Sequence, residues 1–170
     1  MHPSTTSAPR PAARRLLVVD DHASTRELLA SWARNHGYEP GTAADGQEAL
    51  AALDSQPYDL VISDVRMPGL SGLELLQRRA TGRGGPAFVF ITAFGTVQEA
   101  VQALQAGAFD YVTKPFNVEE LFARASLILK DKELQPRESP GRHEADLLRR
   151  GQYLIAFLHP ASPDNHPLIE

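Results

Sequence analysis

Short apolar runs alternate with helix-spaced segments from Arg15 to about Lys130. Leu16-Leu17-Val18-Val19, Leu60-Val61-Ile62, Phe88-Val89-Phe90-Ile91 and Tyr111-Val112 are too short for helices and rich in β-branched residues. They predict strands over 15–20, 59–64, 86–92 and 109–113. A weaker strand is expected near 38–43, where Pro40-Gly41 interrupts the run. Proline cannot donate to a sheet ladder, so that strand should be short or lie at an edge. Helical spacing predicts helices over 24–36, 46–55, 72–80, 97–106 and 118–131.

The helix starts carry capping chemistry. Ser24-x-x-Glu27, Asp45-x-x-Glu48, Ser71-x-x-Glu74, Thr96-x-x-Glu99 and Asn117-x-x-Glu120 each place a capping side chain three residues before a glutamate. The first side chain accepts from an orphan N–H, and the glutamate reaches back. Val97, Ala100, Val101 and Leu104 form an i, i+3, i+4, i+7 stripe expected to pack on the sheet. Gly37 and Gly107 fit helix exits in the left-handed conformation. Trp32 is expected in the core or half-buried against the sheet.

This alternation implies an α/β fold, a parallel sheet with helices on both faces. In such a sheet the strand ends share one edge, where open α/β folds place their sites. Asp20-Asp21 follow the first strand, Asp64 ends the third, Thr92 the fourth, and Lys114 follows the fifth. Three carboxylates, a hydroxyl and an ammonium on one edge suit a divalent cation and a phosphoryl group. Singly, each has a plain structural reading: a helix-entry cap, a turn aspartate, a strand-end threonine, a solvated lysine. Their coincidence at four strand ends points to chemistry.

Composition narrows the class. The chain has 170 residues, 42% hydrophobic, with a formal charge of -4 and no cysteine. Disulfides and thiolate metal sites are thereby excluded, and a cytoplasmic location is expected. No apolar run approaches the roughly 20 residues that span a bilayer. Residues 1–14, with Pro3, Pro9 and Pro11, read as a disordered leader, and 15–131 as the one domain. Residues 132–170 read as a proline-rich tail with one short helical segment near 143–158. That segment carries Leu147, Leu148, Leu154, Ile155 and Leu158, and could dock on the domain, bind a partner or support dimerisation. The tail is net acidic, the wrong sign for gripping phosphates, so no direct nucleic-acid binding is expected. The six histidines show no metal-ligand spacing, and His22 reads as a solvated helix-entry residue.

The stretches Leu17-Val18-Val19-Asp20-Asp21, Asp64-Val65-Arg66-Met67-Pro68-Gly69, Ile91-Thr92-Ala93 and Tyr111-Val112-Thr113-Lys114-Pro115-Phe116 together resemble a bacterial response-regulator receiver domain. The resemblance covers roughly Arg15 to Lys130. Ile91 to Thr96 and Ala106 to Tyr111 are similar to receivers of nitrogen-regulator-type, ATP-dependent transcriptional activators. It implies a doubly wound five-stranded flavodoxin-like sheet in order 2-1-3-4-5, and a cis Lys114-Pro115 bond.

The resemblance also implies the roles. Asp64 is the phosphoacceptor. Asp21, Asp64 and the Arg66 backbone carbonyl bind Mg²⁺ directly, and Asp20 acts largely through water. Lys114 pairs with Asp64 and then with phosphoryl oxygens, and Thr92 donates its hydroxyl to one. Thr92 and Tyr111 form the switch, with Tyr111 turning inward as Thr92 is drawn to the phosphoryl group. The expected partners are a sensor histidine kinase or phosphotransfer protein, a downstream output protein, and a second copy through 97–106, 109–113 and 118–131. The chain would turn over no separate substrate, catalysing only its own aspartyl phosphorylation and dephosphorylation. Two other readings are a phosphorylation-independent interaction module and an aspartyl-nucleophile phosphohydrolase. The latter commonly needs an acid two residues after the nucleophile, and Arg66 stands there.

Overall fold

In the computed structural model, residues 13–79, 85–93 and 95–134 are described. The expected leader is therefore described only at its last two residues, and the 143–158 segment lies outside the described residues.

The strands are β1 (Arg15–Val19), β2 (Glu39–Ala43), β3 (Leu60–Asp64), β4 (Ala87–Thr92) and β5 (Asp110–Thr113). The helices are α1 (Ala23–Asn35), α2 (Gly46–Ser55), α3 (Gly72–Arg79), α4 (Val97–Gln105) and α5 (Val118–Leu134). All strand pairs are parallel, in the order β2-β1-β3-β4-β5. The sheet expected from the sequence is the sheet observed, and the weak second strand lies at its edge.

Side chains alternate between two apolar layers, as the pleat dictates. Leu17, Val19, Val61, Phe88 and Phe90 face one layer with Ala49 of α2, Leu75 and Leu76 of α3, and Ala100, Ala103 and Leu104 of α4. Leu16, Val18, Leu60, Ile62, Val89 and Ile91 face the other, with Leu29 and Ala33 of α1 and Leu121, Phe122, Ala125 and Leu129 of α5. Central strands covered on both sides explain why β3 and β4 read as unbroken apolar runs. Trp32 packs half-buried on the second layer, stacked on Phe122 with ring centroids 4.1 Å apart.

Two sequence expectations fail here. The Ser24-x-x-Glu27 box does not cap α1: the N-cap is His22, which makes no side-chain cap bond, and Ser24 lies inside the first turn. The chain enters this helix earlier because Arg26 N–H already bonds to the His22 carbonyl, at 3.2 Å. The α4 stripe also splits. Ala100 and Leu104 are buried, but Val97 and Val101 are 52% and 37% exposed. The buried face of α4 is centred on Ala100, Ala103 and Leu104, so Val97 and Val101 fall on its flank.

The other starts behave as expected. Asp45, Ser71, Thr96 and Asn117 each accept from the backbone N–H three residues on. At Ser71 and Thr96 the glutamate reaches back to close the box. Glu48 reaches one residue further back, to Ala44 N–H. At the exits, Gly37 (φ 82°) and Gly107 (φ 111°) take the left-handed conformation. Behind them, Tyr38 and Ala108 donate to the carbonyls of Ala33 and Ala103, which satisfies the last orphan acceptors.

Candidate phosphoacceptor site

Each polar residue singled out lies at the carboxyl edge of the sheet. β1 delivers Asp20 and Asp21, β3 ends in Asp64, β4 in Thr92, and β5 leads into Lys114 through the Thr113 step. Lys114 Nζ donates to Asp20 Oδ2 at 2.7 Å and to Asp64 Oδ2 at 3.3 Å. One ammonium therefore ties the first strand to the third. The expected Lys114–Asp64 pair is present, but Asp20 is the closer partner. The Lys114-Pro115 bond that follows is cis, as the resemblance implied.

Asp20 is fully buried, and its Oδ1 accepts from the His22 amide at 2.8 Å. Its backbone carbonyl accepts from Arg26 Nη1 at 2.6 Å, which pins the β1–α1 connection to the first turn of α1. Asp64 is 5% exposed, and its Oδ1 accepts from the Arg66 amide at 3.0 Å. Burial pushes the Asp64 carboxyl above its ordinary range, against the Arg66 amide and Lys114, with Asp20 adding to the rise. Burial works to lower Lys114, but the Asp20 and Asp64 carboxylates outweigh it, and its ammonium is held more tightly than usual.

The loop after β3 leaves no room beside Asp64. A Cβ on Gly72 would lie 2.2 Å from the Asp64 carbonyl and 2.9 Å from the Phe90 ring. The Gly72 amide also bonds back to the Val65 carbonyl at 3.0 Å. Glycine at the start of α3 is what lets that helix close on the strand end.

His22 belongs to this group. Its Nδ1 lies 3.1 Å from Asp20 Oδ1 and 3.0 Å from Asp21 Oδ1. One ligand atom from each of Asp20, Asp21, His22 and Asp64 fits within 4.8 Å of the others. His22 is the exposed helix-entry residue the sequence predicts, and its imidazole also reaches the acidic pair it follows. Arg26 had no signal beyond helical spacing. The donor set is rich in hard carboxylate oxygen, from Asp20, Asp21 and Asp64, and such a set fits Mg²⁺.

Thr92 is buried, and Tyr111 on the neighbouring strand is 4% exposed. The Tyr111 ring sits in the first apolar layer, its hydroxyl so near Gly95 that a Cβ there would approach within 3.0 Å. Burial first, and then the Glu99 carboxylate, push its phenol up to about 12. The side chain expected to turn inward is already inward in this structure. A groove of about 600 Å³ between α1 and α5, lined by Trp32, Tyr38, Phe122 and Lys130, includes none of these residues.

Residues 16–126 match the family model described as the response regulator receiver domain. The transcriptional regulatory protein TcrA of Mycobacterium tuberculosis is 43% identical over 110 residues, covering 65% of this chain and 44% of TcrA. The chain spans about half the length of the curated relatives it matches. A CheY-like receiver domain from Methanospirillum hungatei superposes with a TM-score of 0.68 at 29% identity, covering 72% of this chain and 98% of that one. NtrX from Brucella abortus gives 0.67 at 35% identity, covering 72% of this chain and 28% of NtrX.

Proposed function

This chain belongs to the response regulator receiver domain family, and from that premise we propose that it is switched by phosphorylation of Asp64. The observation that carries the reading is the Lys114 ammonium bridging Asp20 and Asp64 at the buried strand ends. An Asp64 carboxylate oxygen attacks the phosphorus of a phosphohistidine on a sensor kinase or phosphotransfer protein. The P–O bond forms as the P–N bond breaks, and the imidazole leaves with its electron pair and takes up a proton. Hydrolysis of the acyl phosphate by water later restores the carboxylate.

Attack of one anion on another needs positive charge already in place. Lys114 supplies one such charge and moves with the phosphoryl oxygens. Asp20, Asp21, Asp64 and the Arg66 carbonyl would hold Mg²⁺, which supplies further charge neutralisation for the transferring group. The buried Thr92 hydroxyl would donate to a phosphoryl oxygen, and Tyr111, behind it on β5, reports that shift to the surface of α4, β5 and α5.

Among the described residues, no helix is long and apolar enough to cross a membrane. A phosphohistidine donor is charged by ATP, so the chain works in the cytoplasm. Its output is a protein partner, and a second copy through α4, β5 and α5 is one route to it. TcrA is named as a transcriptional regulator, so a DNA-binding output on an attached domain is compatible with this reading. The phosphohydrolase reading has no acid: the guanidinium two residues past Asp64 is held more firmly protonated by Glu99.

The test is labelling by a radioactive small acyl phosphate with Mg²⁺. We expect base-labile label on the wild type, dependent on Mg²⁺, and none on Asp64→Asn. Label surviving in Asp64→Asn would contradict the assignment.

A further inference from the structure

The loop that follows Asp64 is tied to α4 by an ion pair. Arg66 Nη2 donates to Glu99 Oε1, across 33 residues of sequence. Glu99 divides its two oxygens. Oε1 takes the guanidinium, while Oε2 accepts from the Thr96 amide at 3.1 Å and the Thr96 hydroxyl at 3.3 Å. The amide of the same arginine donates to Asp64 Oδ1 at 3.0 Å. The guanidinium is thus rooted beside the acceptor carboxylate but aimed at a helix.

We infer that the Arg66–Glu99 pair is a latch, opened when the guanidinium leaves Glu99 for the phosphoryl oxygens on Asp64. This rests on Asp64 being the phosphoacceptor. A phosphoryl group carries nearly two negative charges and three acceptor oxygens, against the single charge of Glu99. Arginine takes such oxygens in paired, charge-assisted bonds. The pair it gives up is weak, because the Arg66 side chain is 57% exposed and water screens it.

Glu99 loses little when the arginine goes. Its Oε2 still closes the capping box with Thr96, so α4 keeps its first turn. What α4 loses is its tether to the β3–α3 loop. Its exposed Val97 and Val101 then change position relative to the sheet as one rigid piece. The Tyr111 phenol, whose proton is held more tightly because of Glu99 and less tightly because of Arg66, feels both partners of the latch.

The latch makes a linkage prediction. While it is closed, Glu99 competes with the phosphoryl group for Arg66, so removing the Glu99 charge should tighten binding of a phosphoryl mimic. The probe is beryllofluoride with Mg²⁺, its bound fraction read by fluorine NMR on the full chain. Glu99→Gln should bind it about two- to fivefold more tightly than wild type, the factor an exposed pair represents. Arg66→Ala should bind more weakly. In the Arg66→Ala background, Glu99→Gln should have no further effect, whereas in Arg66→Lys part of the gain should return. An equal gain from Glu99→Gln with and without Arg66 would reduce Glu99 to a general anion effect and overturn the latch. So would no gain at all, while saturable binding persists in wild type and disappears in Asp64→Asn. Absence of any saturable binding would overturn the phosphoacceptor reading, and the latch with it.

Discussion

At the scale of single residues, the site is a problem of three carboxylates and one ammonium. Burial first, with Asp20 adding to it, holds the Asp64 proton more tightly in the folded chain than in the unfolded one; Lys114 and the Arg66 amide only partly offset this. The folded state therefore binds more protons than the unfolded state above the ordinary value of 3.8. The contribution to stability is full below that value and is lost as pH rises through the folded value. At pH 7 the ionised Asp64 is a cost. Asp64→Asn should then be more stable than wild type in metal-free buffer. The gap should close toward pH 4, read by urea unfolding at each pH; a variant no more stable at pH 7 would contradict this. Lys114→Ala should act the other way, because it takes the ammonium from a fully buried Asp20 carboxylate that also bonds to the His22 amide. Breaking a buried pair costs about 3–5 kcal/mol, and partial water access at Lys114 lowers this to about 2 kcal/mol. Mg²⁺ should recover part of the loss, visible as a rise in urea midpoint, and a variant indifferent to Mg²⁺ would argue against a cation at these oxygens. Asp20, Asp64, Thr92 and Lys114 were legible in the sequence because each stands where an apolar run stops. The preference of Lys114 for Asp20 was not, since it depends on depths that spacing does not encode.

At the scale of elements, sequence patterns were reliable where they describe local bonds and poor where they describe orientation. A capping box is decided within four residues, and those at Ser71 and Thr96 close as written. Ser24-x-x-Glu27 has the same letters, but the chain upstream is already engaged: Asp20 holds the His22 amide and Arg26 holds the Asp20 carbonyl. Those contacts start α1 earlier and leave Ser24 inside it. The pair gives a direct contrast. Thr96→Ala should cost about 1 kcal/mol, the usual price of a lost cap, whereas Ser24→Ala should change stability by less than about 0.5 kcal/mol. Thermal unfolding of both variants checks this, and equal losses would return the cap to Ser24. The α4 stripe failed for a related reason. Hydrophobic spacing marks a face about 100° wide, but the direction that face points is fixed by how α4 sits on β4 and β5. Ala103, absent from the stripe, is 1% exposed, while Val97 is left half in water.

At the scale of the whole molecule, the two apolar layers close on themselves. One is shared by α2, α3 and α4 and the other by α1 and α5, with all five strands between them. Both edges of the sheet are also accounted for. β2 carries Pro40, and its Gly41 lies against the Tyr58 hydroxyl, where a Cβ would come within 2.3 Å. β5 is followed at once by the turn into α5, which returns across the sheet to Arg14: the Arg14 guanidinium pairs with Glu133 at the far end of that helix. The first strand and the last helix are thus fastened to each other, and Lys132 reaches the Gly85 carbonyl ahead of β4. Among the described residues, the buried members of both layers lie between Leu16 and Leu129. A chain of residues 13–134 should therefore unfold in one cooperative transition, within a few degrees of the full chain. That tolerance corresponds to about 1 kcal/mol for a domain of this size. It should keep the same Mg²⁺-induced rise in midpoint, because every proposed ligand lies between Asp20 and Arg66. A broad or much lower transition in the short chain would show that segment 135–170 packs on the domain. The α1–α5 groove beside Trp32 would then be the first place to look, by following Trp32 fluorescence as the tail is removed.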